Sequence, residues 1–145
     1  MTPEQLTPDH AEAMAKLHAA AFPAPDAWSE SALRDLVQMP TALAYGVWTG
    51  EELAAMFLIQ YTGPELEILT IATDPTHRRQ GLARRLLRHA ERELRPAKSM
   101  LDVAADNSGA IAFYESLGFF AEGRRKGYYK RLEGDRVDAI LMTKG

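Results

Sequence analysis

The alternation of apolar and polar positions predicts a short opening strand and two helices at the start of the chain. Residues 8–21 carry alanine, methionine and leucine at the spacings that place them on one face of a helix. The proline-containing stretch 22–27 ends this helix, and Ser29 with Glu30 opens a second, shorter one. Both helices therefore precede the first long strand.

The middle of the chain changes from a strand period to a helix period. Residues 42–48 and 53–61 are apolar runs joined by a turn sequence, which predicts a β-hairpin, and a third strand follows at 65–73. From residue 79 to 95, leucine and alanine line one helical face while arginine and glutamate occupy the other. We therefore expect a long amphipathic helix after the third strand.

The last part of the chain predicts a strand at 100–104, a helix at 107–117 and closing strands at 119–129 and 137–143. Helices alternate with strands in the middle, and hairpin-like pairs flank them. We therefore expect an α+β (mixed α/β) fold with a central mixed sheet of about six to seven strands and helices on both faces. No repeat or linker divides the pattern, which favours a single domain over residues 1–145.

Composition excludes several kinds of chemistry. The 145 residues are 46% hydrophobic and 26% charged, which matches one ordinary domain with its own core. The chain has no cysteine, so disulfides, thiolate metal sites and a cysteine nucleophile are excluded together. His10, His18, His77 and His89 have no metal-ligand spacing. We expect these histidines at the surface and no bound metal.

Charge and hydropathy bear on partners and location. The formal net charge of −3 argues against direct nucleic-acid binding, which usually needs a basic surface. No apolar run reaches the roughly 20 residues that span a bilayer, and the first residues are polar rather than signal-like. We expect a cytoplasmic protein without membrane contact. Basic residues gather at 77–95 and 124–131, where a phosphorylated ligand and an acidic peptide could bind.

The segment R-R-Q-G-L-A at residues 78–83 lies between the third strand and the long helix. A helix start presents backbone N–H groups without internal partners, so it can hold an anion, and Gly81 lets the backbone approach closely. The segment matches neither G-x-x-x-x-G-K-[ST] nor G-x-G-x-x-G, which disfavours ATP and NAD. By itself it leaves a phosphate site and an ordinary helix start with solvated arginines equally open.

A second motif favours a phosphate site over an ordinary helix start. The loop, written R-x-x-G-x-A, is followed from Asn107 by N-x-x-A-x-x-x-Y-x-x-x-G-F, in which the tyrosine is Tyr114. Together the motifs resemble the acetyl-CoA motifs of the GNAT superfamily of N-acetyltransferases. Within it the sequence is most similar to the RimI-type enzymes, which acetylate the N-terminal alanine of the eighteenth small-subunit ribosomal protein. The resemblance implies acetyl-CoA as donor and a protein N-terminus, such as that of a ribosomal protein, as acceptor.

The likeness runs through nearly the whole chain. Phe22-Pro23 and Trp28-Ser29-Glu30 look like the F-P-W-S-E element of the family, here split by an insertion. Residues 71–75 look like the strand that leads to its phosphate loop, and residues 124–129 with 138–142 look like its C-terminal hairpin. The resemblance therefore implies the GNAT fold, in which a splayed sheet admits acetyl-CoA between two strands.

The resemblance also implies which residues bind acetyl-CoA. A strand backbone pairs with the pantetheine amides, the loop backbone holds the pyrophosphate, an asparagine contacts the cofactor arm, and a tyrosine lies by the thioester sulfur. The strand residues are Ile71, Ala72 and Thr73, and the loop residues are Arg79, Gln80, Gly81, Leu82, Ala83 and Arg84. The asparagine is Asn107 and the tyrosine is Tyr114. Asn107 is equally suited to cap its helix, and both roles can coexist.

Amide formation requires a base for the amine and an acid for the departing thiolate. Tyr114 is the candidate acid. The RimI pattern has a glutamate where this chain has Asp102, shorter by one methylene, so we rank Asp102 as base only slightly above Glu67, with Glu65 weaker. An α-amino group has a pKa of roughly 7.7 to 8.0, so a modest base suffices, directly or through water.

Each candidate also has a structural alternative. Tyr114 could be a core aromatic residue with a satisfied hydroxyl. Asp102 could balance Arg124 or Arg125, and Glu67 could be a solvated strand residue. None of these alternatives involves acetyl-CoA. The structure is needed to decide between each alternative and the proposed catalytic role.

The acceptor site is predicted in the late hairpin. Tyr128 and Tyr129 have the amphipathic character of a peptide groove, although tyrosine also suits cross-strand packing. Three functions remain open: protein N-terminal acetylation, acetylation of a small-molecule amine, and a non-catalytic acyl-CoA-binding module. We expect the protein to act as a monomer.

Overall fold

The computed structural model describes residues 2–22, 26–130 and 134–145. Within them the chain forms α-helices, β-strands and two single turns of 3-10 helix. The helices are α1 (Ala11–Ala21), α2 (Glu30–Val37), α3 (Leu82–Leu94) and α4 (Ser108–Ser116). The strands are β1 (Glu4–Leu6), β2 (Ala42–Thr49), β3 (Glu52–Tyr61), β4 (Glu65–Thr73), β5 (Lys98–Ala104), β6 (Phe120–Lys130) and β7 (Arg136–Lys144).

The predicted elements are confirmed within a few residues, and the differences have local causes. The long helix begins at Leu82 rather than at residue 79, because Arg79 and Gly81 have φ angles of 67° and 72°, which a right-handed helix does not allow. The first helix begins with a 3-10 turn before α1. Residues 23–25 and 131, which entered the sequence motifs and the basic group, lie outside the described residues.

The strands form one seven-stranded sheet in the order β1-β2-β3-β4-β5-β7-β6. The pairs β1–β2, β2–β3, β5–β7 and β6–β7 are antiparallel, whereas β4 and β5 are parallel. This arrangement confirms the expected mixed sheet. The ladder between β4 and β5 joins Glu65 to Lys98, Leu66 to Ser99 and Glu67 to Met100.

The chain divides into two compact units, and the first comprises residues up to Thr62 together with Leu69–Arg95. Its central strand is β3, which is buried on both faces. Met56 and Leu58 join a core cluster with residues of α1 and α2, and the alternating Phe57 and Ile59 are also buried. Both α1 and α3 pack on β3. The apolar run of β3 thus reflects helices on either side of it.

The second unit comprises Gly63–Ile68 and Pro96–Gly145 and contains α4, β5, β6 and β7. In β5 the side chains of Ser99, Leu101 and Val103 are buried, whereas Met100 and Asp102 are half-buried. This alternation has the period of a strand whose two faces differ in environment. It places Asp102 on the more open face of the strand.

The structure corrects the expectation that His18 lies at the surface. His18 is 1% exposed and its ring stacks between Phe22 and Trp28, with centroid distances of 4.4 and 5.1 Å. The backbone N–H of Trp28 donates to Nδ1 at 3.0 Å, so Nε2 carries the proton and donates to Thr70 Oγ1 at 3.1 Å. The helical spacing of the sequence gave no sign of these two ring partners.

Burial makes His18 a pH-dependent contributor to stability. Desolvation lowers the pKa of His18 below its usual value near 6.5, so the folded protein holds the ring neutral where the unfolded chain is protonated. The stabilisation is therefore complete above about pH 6.5 and is lost as the pH falls below that value. We expect the melting temperature to decrease between about pH 7 and pH 5, and the decrease to be smaller in His18→Gln.

His89→Gln is the control, because it removes a half-buried histidine and leaves the contacts of His18 intact. Thermal melts at a series of pH values give the change of melting temperature with pH for the wild type, His18→Gln and His89→Gln. Equal slopes for the wild type and His18→Gln would show that His18 has no such role.

Candidate active site

The loop before α3 has the geometry of an anion-binding helix start. Gly81 is the N-cap with φ 72° and ψ 20°, and a Cβ built at this position meets no atom within 4 Å. The N–H of Arg85 donates to the carbonyl of Gly81 at 3.0 Å. The N–H groups of Leu82 and Ala83 precede it in the first turn, where a helix offers no backbone acceptor one turn earlier. The loop therefore has both the space and the donors that a phosphate requires.

Neighbouring contacts anchor this loop at its ends, while its middle is exposed to solvent. Leu82 is 3% exposed and anchors the start of α3, while residues 78–81 are exposed to solvent. Before the loop, Asp74 accepts hydrogen bonds from the N–H and hydroxyl of Thr76, at 2.9 and 2.6 Å. These two hydrogen bonds from Thr76 are the main cause of the lowered pKa of the Asp74 carboxyl. The turn that leads from β4 to the loop is thus fixed by an ionised cap.

The proposed pantetheine-binding positions lie immediately before that turn. Ala72 is 2% exposed and belongs to the core of the first unit, while its neighbours Ile71 and Thr73 are half-buried. Thr70, one residue earlier, receives the hydrogen bond of His18. Packing in the core of the first unit and this buried hydrogen bond therefore hold the strand in place.

Asn107 belongs to the second unit and caps α4. Its side-chain oxygen accepts a hydrogen bond from the N–H of Ala110 at 3.1 Å, which confirms the capping role. The side chain is exposed, and its amide nitrogen takes no part in that contact. The capped geometry thus leaves a donor for the predicted contact with the cofactor arm, which stays a prediction.

Tyr114 is a half-buried residue of α4 in an aromatic environment. Its ring contacts Phe113 and Phe119, with centroid distances of 5.4 and 6.0 Å. Burial, together with a smaller effect of the nearby Tyr129, raises the pKa of the Tyr114 phenol to about 12. Tyr114 consequently keeps its proton throughout the neutral range and is available as a donor. The packing agrees with the structural alternative, while the retained proton is what an acid needs.

Asp102 has a buried carboxylate oxygen with an open hydrogen-bond position. Oδ1 is inaccessible to solvent and has no hydrogen-bond partner among the described residues. The nearest cation is Arg125, whose Nε lies 3.7 Å away, while Arg124 donates instead to Asp138 at 2.6 Å. Of the two arginines left open by the sequence, Arg125 is therefore the partner. An unmade hydrogen bond at a buried charged oxygen is costly, so a donor that reaches Oδ1 as its covering groups move is stabilised there.

Glu67 lies on the same face of the sheet as Asp102. Its Cα partner on β5 is Met100, two residues before Asp102, and partners in register share a face. Strand spacing and rise put the Cα atoms of Glu67 and Asp102 about 8 Å apart. Both candidate bases thus face the same region of the second unit, and the buried open oxygen distinguishes Asp102.

A bulge in β6 sets the position of the two predicted acceptor tyrosines. Arg125 pairs with Ala139 and Tyr129 with Val137, so three β6 residues oppose the single residue Asp138. Asp138 accepts hydrogen bonds from the Gly127 N–H at 2.8 Å and from Arg124, and these lower its carboxyl pKa, the backbone bond most. Gly127 has φ 59°, which favours glycine.

The side chains around this bulge form one contiguous set. The rings of Tyr128 and Tyr129 meet at 5.0 Å and 88°, and the Arg125 guanidinium lies 5.4 Å from the Tyr128 ring centroid. Tyr128 is 50% exposed, as an acceptor contact would be. We call the set the site cluster, and its members are Asp102, Arg125, Tyr128, Tyr129 and Tyr114.

Sequence reasoning found four members of the site cluster and left the fifth open. It considered Arg125 as one of two partners for Asp102 and as part of a basic group that could bind an acidic peptide, and it assigned no role to Asp138. The change of pairing across the bulge gives no signal in the β6 sequence except Gly127. The loop residues 79–84 and the strand residues 71–73 belong to the first unit, and the site cluster belongs to the second.

A separate cavity lies in the first unit and contains none of the predicted site residues. It has a volume of about 370 Å³ and is lined by Ala13, Leu17 and Trp48 and by the ion pair between Lys16 and Glu52, among others. We prefer the site cluster as the candidate active site, because among the described residues the buried unpaired group lies at Asp102 and not in the cavity. Within the described ranges, no cluster of side chains could hold a metal ion, and no helix has the length and apolarity to cross a membrane.

Sequence comparison identifies relatives over most of the chain. Residues 11–119 match the model of the acetyltransferase (GNAT) family. The [ribosomal protein bS18]-alanine N-acetyltransferase of Escherichia coli K12 is 39% identical over 126 residues, which cover 85% of this chain and 81% of that protein. The N-alpha-acetyltransferase RimI of Mycobacterium tuberculosis is 34% identical over 143 residues, 96% of this chain and 89% of that protein.

Structure comparison gives the same assignment. The crystal structure of the Escherichia coli ribosomal-protein-S18-alanine N-acetyltransferase superposes with a TM-score of 0.86 at 34% identity, covering 99% of this chain and 92% of that one. Arabidopsis thaliana NAA60 in complex with acetyl-CoA, at 20% identity and a TM-score of 0.79, shares the fold. With a family match over most of the chain and the same seven-stranded architecture, the protein belongs to the acetyltransferase (GNAT) family.

Proposed function

We propose that the protein transfers the acetyl group of acetyl-CoA to the α-amino group of a protein N-terminus, specifically the N-terminal alanine of a small-subunit ribosomal protein. The site cluster is the observation that carries the proposal. It combines a buried carboxylate oxygen open to a donor, a phenol that keeps its proton, and two tyrosines suited to a peptide. The names of the Escherichia coli and Mycobacterium tuberculosis relatives support the acceptor class.

Each part of the proposed donor site is assigned for its own reason. The backbone N–H groups of residues 79–84 bind the pyrophosphate, because the helix start is open and exposed there. The backbone of Ile71, Ala72 and Thr73 pairs with the pantetheine amides. Asn107 contacts the cofactor arm, since its cap leaves the amide nitrogen available. We propose that the whole chain acts as one catalytic domain in the cytoplasm, where ribosomal proteins are made.

In the proposed reaction the α-ammonium group donates to Asp102 Oδ1, directly or through water, and loses one proton to it, which passes on to solvent. The neutral amine attacks the thioester carbonyl and the C–N bond forms. The nitrogen of the tetrahedral intermediate then gives a second proton to Asp102, the C–S bond breaks, and Tyr114 gives its proton to the departing sulfur. The second proton returns from Asp102 through solvent to the phenolate, so the sum is an amide, a free CoA thiol and one proton released to solvent.

The acceptor class follows from amine basicity. An α-amino group has a pKa near 8, whereas a lysine amine has one near 10.4, so the neutral fraction at pH 7 is on the order of 100-fold greater for the N-terminus. A carboxylate is a weak base that can deprotonate the first far more readily than the second. The proposed chemistry therefore favours N-termini over lysine side chains.

We expect release of the CoA thiol with a peptide that begins with alanine and copies a ribosomal-protein N-terminus. The control is the same peptide with a blocked N-terminus and an internal lysine. Thiol release is followed with a colorimetric reagent, and mass spectrometry locates the acetyl group. Turnover of free small amines without peptide, or binding of acetyl-CoA without any transfer, would contradict the proposal.

Substitution of the proposed acid tests Tyr114. Tyr114→Phe keeps the ring contacts and removes only the hydroxyl, so we expect kcat to fall by about 100-fold while acetyl-CoA affinity changes by less than about twofold. Steady-state kinetics and calorimetric titration with acetyl-CoA measure the two effects. Tyr45→Phe is a matched control from the core of the first unit. An unchanged kcat in Tyr114→Phe would reject the acid role.

An isosteric pair of substitutions tests the base. Asp102→Asn removes the charge of the buried oxygen, and Glu67→Gln makes the same change about 8 Å away on the same face. We expect kcat to fall by about 100-fold in the first and by no more than about threefold in the second. Kinetics at saturating peptide decide between them, and the reverse order would assign the base to Glu67.

A further inference from the structure

Arg125 occupies a position between the proposed base and the acceptor tyrosines. Its Nε lies 3.7 Å from Asp102 Oδ1, and its guanidinium carbon lies 5.4 Å from the centroid of the Tyr128 ring. Its side chain is 54% exposed, whereas that of Asp102 is only 14% exposed. One flexible cation is therefore shared by a buried carboxylate and an exposed aromatic face.

The distance to Asp102 has a chemical consequence. A separation of 3.7 Å is too long for a hydrogen bond but short enough for charge attraction. Arg125 thus balances the charge of the carboxylate without filling the open position of Oδ1. If the arginine bonded directly to that oxygen, the incoming amine or water would have to displace it.

The Tyr128 ring accounts for this separation. A guanidinium over an aromatic face is attracted by the ring and loses part of its freedom. The neighbouring Arg124 cannot substitute for Arg125, because Asp138 already binds its Nε. Arg125 pairs with Ala139, two residues from the Asp102 partner Leu141, so Arg125 lies on the face of Asp102 and is the cation that serves it.

We propose that Arg125 is a positioning residue for Asp102, held by Tyr128 at a distance that orients the carboxylate and leaves its oxygen unbonded, ready to accept from the acceptor amine or a water when the groups that cover it move. The inference rests on the proposed function. It adds a residue that acts through the base rather than on the substrate. Binding of the acceptor against Tyr128 and alignment of the base are then linked through one side chain.

Arg125→Met tests the role by kinetics. We expect kcat to fall about tenfold, with the peptide KM changed by less than about twofold, because a misaligned base slows the chemical step and leaves binding intact. Arg125→Lys retains the charge without the planar group and should recover part of kcat. Arg34→Met removes an arginine of α2 that pairs with Glu30, far from the assigned binding residues in the sequence, and should match the wild type. A raised KM with unchanged kcat would make Arg125 an acceptor contact and overturn the proposal.

A double-substitution cycle separates action through Asp102 from an independent effect. In the Asp102→Asn background, Arg125→Met should lower kcat by less than about twofold further, because the group it positions is already disabled. Multiplicative effects of the two substitutions would show that Arg125 acts independently, against the proposal. Melting temperatures of all variants are measured alongside.

An activity-independent measurement keeps the inference distinct from the proposed function. The ¹H–¹⁵N signal of the Arg125 Nε–H should shift in Asp102→Asn and stay in place in Glu67→Gln. A signal unaffected by Asp102→Asn would overturn the inference even in an active enzyme. A shifted signal in a protein that acetylates no N-terminus would instead contradict the proposed function and leave the pairing of Arg125 with Asp102 standing.

Discussion

The carboxylate of Asp138 is the constraint on which the site cluster depends. It accepts hydrogen bonds from the Gly127 N–H and from Arg124, and both bonds favour its ionised form. Through them a single β7 residue holds three β6 residues in the bulge. Before the bulge, strand alternation places Arg124 on the face of Asp138 and Arg125 on the face of Asp102. A charge that takes no part in the proposed reaction thus fixes the geometry of the groups that do.

The site cluster also gives different environments to groups with different tasks. Burial keeps the proton on Tyr114, which needs to donate it. Asp102 is buried as well, but its Oδ1 lacks a hydrogen bond and has a cation nearby, so it can receive a donor. Acid and base chemistry at neutral pH depends on such differences between neighbouring groups. Side-chain type alone would not have separated Asp102 from Glu67.

The later residues of the strand β4, which belong to the first unit, have an unexpected anchor. Thr70, next to the proposed pantetheine positions, is bonded to the buried ring of His18. The ring is stacked between Phe22 and Trp28, which follow α1 in the sequence. Phe22 and Trp28 thereby contribute to the position of this part of β4.

The sequence by itself determined the order of helices and strands, the open helix start at Gly81 and the family motifs around Asn107 and Tyr114. These features depend on short-range periodicity, on capping and on backbone conformation, all of which a local stretch of residues specifies. The tertiary structure decided that His18 is buried, that Arg125 rather than Arg124 serves Asp102, and that Asp138 holds the bulge. The burial of His18 depends on the packing of a helix residue against Trp28 and the distant Thr70. The other two depend on which residues of distant strands lie opposite one another, and a shift of one residue in register would place those side chains on the other face.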